Sequence, residues 1–177
     1  MTRNRKIAKL EDVGDEKQLV SFKLSNETYA VDVSQVRSIG KVEEITRVPK
    51  MPSFVEGVMN LRGQITTVID LKRRFDIEGG DGRTEQSRII VAEIGDTQVG
   101  MIVDSVKDVI RVPQKSISPP PKTIESKLDT RFLTGICNIS DHLIMIIDLK
   151  NLLKKEDIDD VMELTSNVVG KKPEVTT

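Results

Sequence analysis

Apolar residues in this chain alternate with polar ones in short runs and rarely recur at helical spacing. Val20, Phe22 and Leu24 alternate with Ser21 and Lys23; after Asn26-Glu27, which reads as a turn, Tyr29, Val31 and Val33 alternate again. A period of two puts every second side chain on one face, so the pattern predicts a half-buried strand hairpin. The spacing then lengthens to three at Val33, Val36 and Ile39, which suits a short helical turn or a bent strand. Gly57-Val-Met-Asn-Leu61 and residues 64–71 read as two more strands joined at Arg62-Gly63, where glycine supplies the positive φ of a tight turn.

The pattern then repeats. A shift of 70 positions lays Leu19-Val-Ser-Phe-Lys-Leu24 over Ile89-Ile-Val-Ala-Glu-Ile94, and Val33, Val36 and Ile39 over Val103, Val106 and Val109. A shift of 78 lays Phe54-Val-Glu-Gly57 over Phe132-Leu-Thr-Gly135, Asn60 over Asn138, and Val68-Ile-Asp-Leu-Lys72 over Ile146-Ile-Asp-Leu-Lys150. The extra positions fall at Ser118-Pro-Pro-Pro-Lys122, whose prolines cannot donate ladder hydrogen bonds and favour an extended surface loop. Two blocks recurring in one order indicate a duplicated supersecondary unit, with copies at 18–77 and 87–153. In the second copy Gly95-Asp96 marks the hairpin turn, and Leu143-Ile-Met-Ile-Ile147, apolar on both faces, reads as a buried strand. Residues 78–85 are Gly-rich and acidic and form a linker, and 1–17 read as a polar tail. Ile158, Val161 and Met162 predict a short C-terminal helix within 156–177, followed by a mobile tail.

Composition narrows the chemistry. With 27 Lys+Arg against 28 Asp+Glu, no global field attracts nucleic acid or an acidic membrane. Four Phe, one Tyr and no Trp leave an aliphatic core and little surface for base stacking. One Cys excludes an internal disulfide and one His excludes most His-based metal sites, so neither a metal nor another cofactor is expected. No apolar run approaches the roughly 18 residues a membrane helix needs, and the basic start lacks the apolar stretch of a secretory signal. A cytoplasmic protein is expected.

Candidate chemistry is sparse. Cys137 and His142, the only thiol and imidazole, would have to meet as nucleophile and base in a Cys/His hydrolase; their places in a strand pattern and a turn favour core filler and exposed turn residue. Asp70 and Asp148 recur together and suit strand-end residues capping their own backbone. Gly79-Gly-Asp-Gly82 lacks the Lys-Ser/Thr of a phosphate loop. Lys72-Arg-Arg74 reads as a solvated cap on a strand end, with a nucleic-acid-binding barrel as the alternative. The copies differ most at their turns, where Asn60-Leu-Arg-Gly-Gln64 corresponds to Asn138-Ile-Ser-Asp-His142; Arg62 offers a directed donor fork to a partner.

The stretch Val48-Pro-Lys-Met-Pro-Ser-Phe-Val-Glu-Gly-Val-Met-Asn-Leu-Arg-Gly-Gln-Ile-Thr-Thr-Val-Ile-Asp-Leu71 resembles the signature of the CheW family of chemotaxis adaptors. Tyr29-Ala-Val-Asp-Val33, Val99-Gly-Met-Ile-Val-Asp-Ser-Val106, the proline loop and Phe132-Leu-Thr-Gly135 follow in the family's order, so the resemblance runs from about Gln18 to Leu153. It implies a mainly β chain of two small SH3-like five-stranded barrels over a shared core, within 18–155, with strand exchange between the barrels left open. It also implies no enzymatic activity. The expected role is to couple the cytoplasmic tips of methyl-accepting chemoreceptors to the regulatory domain of the histidine kinase CheA, in membrane-bound arrays that include rings of CheW and CheA. Carried over by position, Val33, Val36, Ile39, Asn60, Leu61, Arg62 and Gly63 would face the receptor, with the three apolar residues as anchors. Lys41, Val42 and Ile45 would meet the kinase, and Ser118, Lys122 and Thr123 would close rings. Where relatives often carry an acid this chain has Ser38. At the ring-closing places some relatives carry an Arg, an acid and an aromatic, and this chain carries none of them, so closure here is expected to be weaker or built differently.

Overall fold

The computed structural model describes residues 15–77, 83–94, 96–120 and 132–152. Strands over these residues are β1 (Glu16–Leu24), β2 (Glu27–Asp32), β3 (Val36–Lys41), β4 (Val55–Leu61), β5 (Gln64–Asp70), β6 (Arg88–Ile94), β7 (Thr97–Val103), β8 (Ser105–Pro113), β9 (Leu133–Ile139) and β10 (His142–Ile147). Helical structure here is one α-turn, α1 (Leu71–Arg74), and 3₁₀ turns at Val33–Gln35, Gln114–Ser116 and Leu149–Asn151. β1 begins two residues before the boundary expected for the N-terminal tail, while the expected C-terminal helix and the glycines at 79–82 lie outside the described residues.

Neither repeat builds a sheet alone. One five-stranded sheet runs β8-β1-β2-β10-β9 and the other β3-β6-β7-β5-β4. Each takes the leading hairpin of one copy and the three later strands of the other, joined by parallel pairing of β10 with β2 and of β5 with β7. The exchange happens at the crossovers. The 3₁₀ turn Val33–Gln35 carries the chain out of the first sheet into β3, and Asp104 does the same between β7 and β8.

Short bridges close both sheets into barrels. Thr46 and Val58 exchange two backbone hydrogen bonds of 2.8 Å, and Ser118 and Ile136 exchange two of 2.8 Å. The glycine of each Phe-x-x-Gly block lies beside its bridge. A Cβ on Gly57, at φ +150, would stand 2.1 Å from the Thr46 carbonyl oxygen, and one on Gly135 would meet Ile117 Cγ2 at 2.6 Å. The motif spacing is therefore a closure device: only a bare backbone lets the incoming segment approach this near.

Alternate residues of the same strands serve different cores. Leu19, Ala30, Val112, Cys137, Ile144 and Ile146 fill the first barrel, and Met59, Val68, Ile89, Val91 and Ile102 fill the second. Their sequence neighbours Val20, Tyr29, Val31, Ile90, Ala92, Met101, Met145 and Ile147 point the other way, into a core shared between the barrels. This explains the apolar run in β10, although Leu143 at its start is 42% exposed and corrects the expectation of a strand buried throughout.

The spacing of three also has a structural cause. Between β3 and β6 the register slips so that Val36 and Ile39 lie opposite Ala92 and Ile90; between β8 and β1 Val106 and Val109 lie opposite Phe22 and Val20. In each case two residues oppose one, a bulge that restores residues three apart to the same face. Val36 and Val106 pack on the shared core, while Ile39 and Val109 sit at its rims, 41% and 60% exposed. A helical turn precedes the bulge only in the first copy.

The aromatic residues gather at this shared core. Phe22 stacks on Tyr29 (centroids 6.1 Å), Tyr29 meets Phe75 (6.0 Å) and Phe75 meets Phe132 (5.2 Å). The Arg74 guanidinium lies 4.8 Å from the Phe54 ring centroid and 4.7 Å from that of Phe132, and Arg74 Nε donates to the Leu152 carbonyl at 2.8 Å. The expected solvated cap at residues 72–74 is corrected accordingly: α1 turns Arg74 inward between two equivalent rings, where a desolvated cation–π contact is strong.

Candidate functional site

Side-chain caps shape the junction between the barrels. Asp70 accepts from the backbone N–H groups of Lys72 and Arg73, and Asp148 accepts from that of Lys150 at 3.0 Å, as expected of capping acids. Asp32 accepts from the backbone N–H and hydroxyl of Ser34 at 2.9 and 2.8 Å and starts the crossover turn. These contacts hold Lys72 and Lys150 at equivalent places on opposite sides of the shared core.

The two sides differ. Lys72 Nζ lies 2.9 Å from Asp104, and this carboxylate also accepts from the Ser25 backbone N–H at 2.7 Å. At the equivalent place by the repeat, Ser34 stands where Asp104 would be and Lys150 where Lys72 would be. Here a cleft of about 610 Å³ opens between the barrels, lined by Lys17, Ser34, Gln35, Arg37, Glu93 and Lys150 among others, with Leu19, Ile146 and Ile147 at its apolar floor. A hollow of about 410 Å³ continues it past Val33 to Arg111 and Glu16. Arg37 pairs with Glu93, and Gln35 Nε2 reaches Asp148 at 3.4 Å.

The expected receptor-facing residues fall into two groups at one end of the second barrel. Val33 and Val36 are half-buried, packed on the shared core beside the cleft, so of the three expected apolar anchors only Ile39 is exposed. Asn60, Arg62 and Gly63 are exposed on the β4–β5 turn, and Leu61 packs toward the barrel interior. Arg62 (φ 51) and Gly63 (φ 83) both adopt positive φ, and Asn60 Oδ1 accepts from the Gly63 N–H at 2.9 Å, a two-residue hairpin turn of the primed kind. Register sets this turn at the same end of the sheet as the β6–β7 turn, since Thr67 lies beside Val99, and as Val36, opposite Ala92. In the second copy Ser140 (φ 52) and Asp141 (φ 64) take the same turn without glycine.

The expected kinase-facing residues occupy the other end. Lys41 is exposed opposite Arg88, while Val42 and Ile45 are half-buried and plug the second barrel, which limits the surface they can offer. Ser118 lies on the first barrel, where it makes the closing bridge that Thr46 makes on the second. Lys122 and Thr123 lie outside the described residues.

The hydrolase alternative meets a geometric objection. Cys137 is buried in the first barrel across from Ile144, and burial pushes its thiol pKa up, the reverse of an activated nucleophile. His142 is exposed at the start of β10. The nucleic-acid alternative lacks stacking surface, because Phe22, Tyr29, Phe75 and Phe132 are all buried and Phe54 packs on the same core. Among the described residues no helix is long and apolar enough to cross a membrane. Sequence reading missed Ser34, Gln35, Asp104 and Lys150, although the repeat alignment held the signal: one aligned pair reads Ser against Asp and the other keeps Lys.

A family model described as the CheW-like domain matches residues 18–157. The chain is 35% identical over 158 residues to the chemotaxis protein CheW of Klebsiella aerogenes, spanning 89% of this chain and 90% of that one. It is 36% identical over 139 residues to that of Bacillus subtilis, spanning 78% and 88%. Among solved structures, the scaffolding protein TtCheW of Thermoanaerobacter tengcongensis superposes with a TM-score of 0.73 at 42% identity, covering 80% of this chain and 90% of that one.

Proposed function

The chain belongs to the CheW family of chemotaxis scaffold proteins, and on that premise we propose that it couples methyl-accepting chemoreceptors to the histidine kinase CheA without chemistry of its own. The observation that carries this reading is the open cleft between the barrels, with half-buried Val33 and Val36 beside it and the exposed Arg62 turn at the same end of the fold. A receptor tip is a helical hairpin. A mainly polar cleft flanked by half-buried Val33 and Val36 accepts such a surface by the helix-in-groove mode, with Ile39 as the exposed anchor and Arg62 as a directed donor. Lys41, at the opposite end of that barrel, leaves a separate surface for the kinase's regulatory domain, so both partners can bind at once in an array at the cytoplasmic side of the membrane. Signal then passes as a coupling free energy between two binding sites, for which a few kcal/mol suffice.

The test is Arg62→Ala, assayed with a soluble receptor cytoplasmic fragment and CheA. Receptor affinity is expected to fall by about tenfold, as for an arginine hot spot, with receptor-dependent kinase activation lost and circular dichroism unchanged. A variant that binds the fragment and activates the kinase like the parent chain would overturn the assignment of this face.

A further inference from the structure

We infer that the open cleft is built to receive a carboxylate side chain from the receptor tip, which takes up beside Lys150 the place that Asp104 occupies beside Lys72. The inference rests on the receptor-coupling reading and adds the chemistry of the contact.

The argument comes from the molecule's own duplication. Lys72 and Lys150 both sit two residues past a capping Asp, and Ser34 and Asp104 both begin the crossover that leaves the leading hairpin. On one side the crossover residue is an acid, and the Lys72–Asp104 pair spans the junction with side chains only 15% and 31% exposed. On the other side the acid is replaced by Ser34, whose hydroxyl is turned to Asp32. Lys150 therefore keeps its position but forms no ion pair with a described carboxylate, although Asp32, Glu93 and Asp148 line the same cleft.

The remaining charges around the cleft do not supply the missing partner. Glu93 is held by Arg37. Asp32 accepts from Ser34, and Asp148 accepts from the Lys150 backbone N–H, Gln35 Nε2 and, at 3.4 Å, Asn151 Nδ2. Each acid is engaged by donors other than a lysine ammonium. Lys17 is a second cation on the same wall without a carboxylate partner among the described residues. Leu19, Ile146 and Ile147 beneath the cleft are at most 5% exposed, so the two ammonium groups, rather than the apolar floor, are what an acidic residue on a helix face would meet. Lys150 is exposed, so this contact lies at the mouth of the cleft and weakens with added salt.

Three variants test this against a soluble receptor cytoplasmic fragment. Ser34→Asp builds the missing acid into the chain, neutralises Lys150 internally and should weaken fragment binding by about tenfold; Lys150→Gln should weaken it similarly, the scale of truncating one partner of an interface charge pair. The double variant should bind no worse than either single, because both remove one contact. Each should also flatten the fall in affinity with added salt, since the screened charge is gone. Parent-like affinity and salt dependence in both single variants, with Arg62→Ala still impaired, would overturn this inference and leave the coupling reading in place. Parent-like binding in all of them, Arg62→Ala included, would remove both. Circular dichroism of each variant separates lost binding from lost fold.

Discussion

On one side of the shared core Lys72 meets Asp104 at 2.9 Å and the junction between the barrels is bridged. On the other, the equivalent Lys150 faces Ser34 across a cleft of about 610 Å³. The flanking parts are alike: capping acids at Asp70 and Asp148, closing bridges at Thr46 and Ser118, and a bulge in each crossing strand. The repeat aligns Ser34 with Asp104, so an acid bridges one junction where a hydroxyl stands at the open one; on the proposed reading it is the open junction that a partner would meet.

The glycines of the closure motif offer the sharpest way to break this parallel. Gly57 combines φ +150 with a Cβ position 2.1 Å from a backbone oxygen, whereas a Cβ on Gly135, at ordinary φ, would stand 2.6 Å from Ile117 Cγ2 and 2.9 Å from the Ser118 carbonyl oxygen. Gly57→Ala is therefore expected to cost roughly 4 kcal/mol and Gly135→Ala roughly 2 kcal/mol in denaturant unfolding, since both add overlap with backbone but only the first adds a strained φ. Equal losses would mean that the two closures are not distinguished by backbone geometry.

The shared core is asymmetric in another respect. Tyr29 stands where the second copy has Val99, so only one half contributes an ionisable group to it. Burial, with a smaller push from Glu27, raises the Tyr29 pKa from 10.0 to about 12. The folded state thus favours the neutral phenol; that contribution is complete below pH 10 and is lost as pH climbs toward about 12. Unfolding midpoints should fall across this window in the parent chain and fall less in Tyr29→Phe. Identical alkaline profiles would show that Tyr29 does not titrate in the core.

The smallest effect is expected at the bridged junction itself. Asp104→Ser removes one partly exposed ion pair and the acceptor for the Ser25 N–H, a loss of about 1 kcal/mol. It should also give the bridged junction the same Lys-and-Ser pair as the open one while leaving receptor affinity unchanged. Weaker receptor binding in this variant would place a contact on the bridged side.

Much of this was legible along the chain. The hairpins showed as alternation, the turn at Arg62-Gly63 as a glycine of positive φ, the caps as recurring Asp70 and Asp148, and the duplication as two ordered blocks. All are local: each depends on residues a few positions apart, and a period of two or a two-residue turn leaves its mark in any context. Some of the candidate site was legible in the same way, because Arg62 lies on such a turn. Val33, Val36, Val42 and Ile45 were harder, since an apolar residue in a strand reads the same whether it faces a partner or a barrel.

The sequence by itself determined that the molecule is two copies of one β unit, with glycines and acids at fixed places in each. Only the tertiary structure decided which copy's strands share a sheet, that the spacing of three is a bulge, and that Arg74 slots between Phe54 and Phe132. It alone put Lys72 within reach of Asp104 and Lys150 opposite Ser34. These depend on parallel pairings and crossovers between distant segments, whose free energy comes from burying a common core, and no single window of the chain records them.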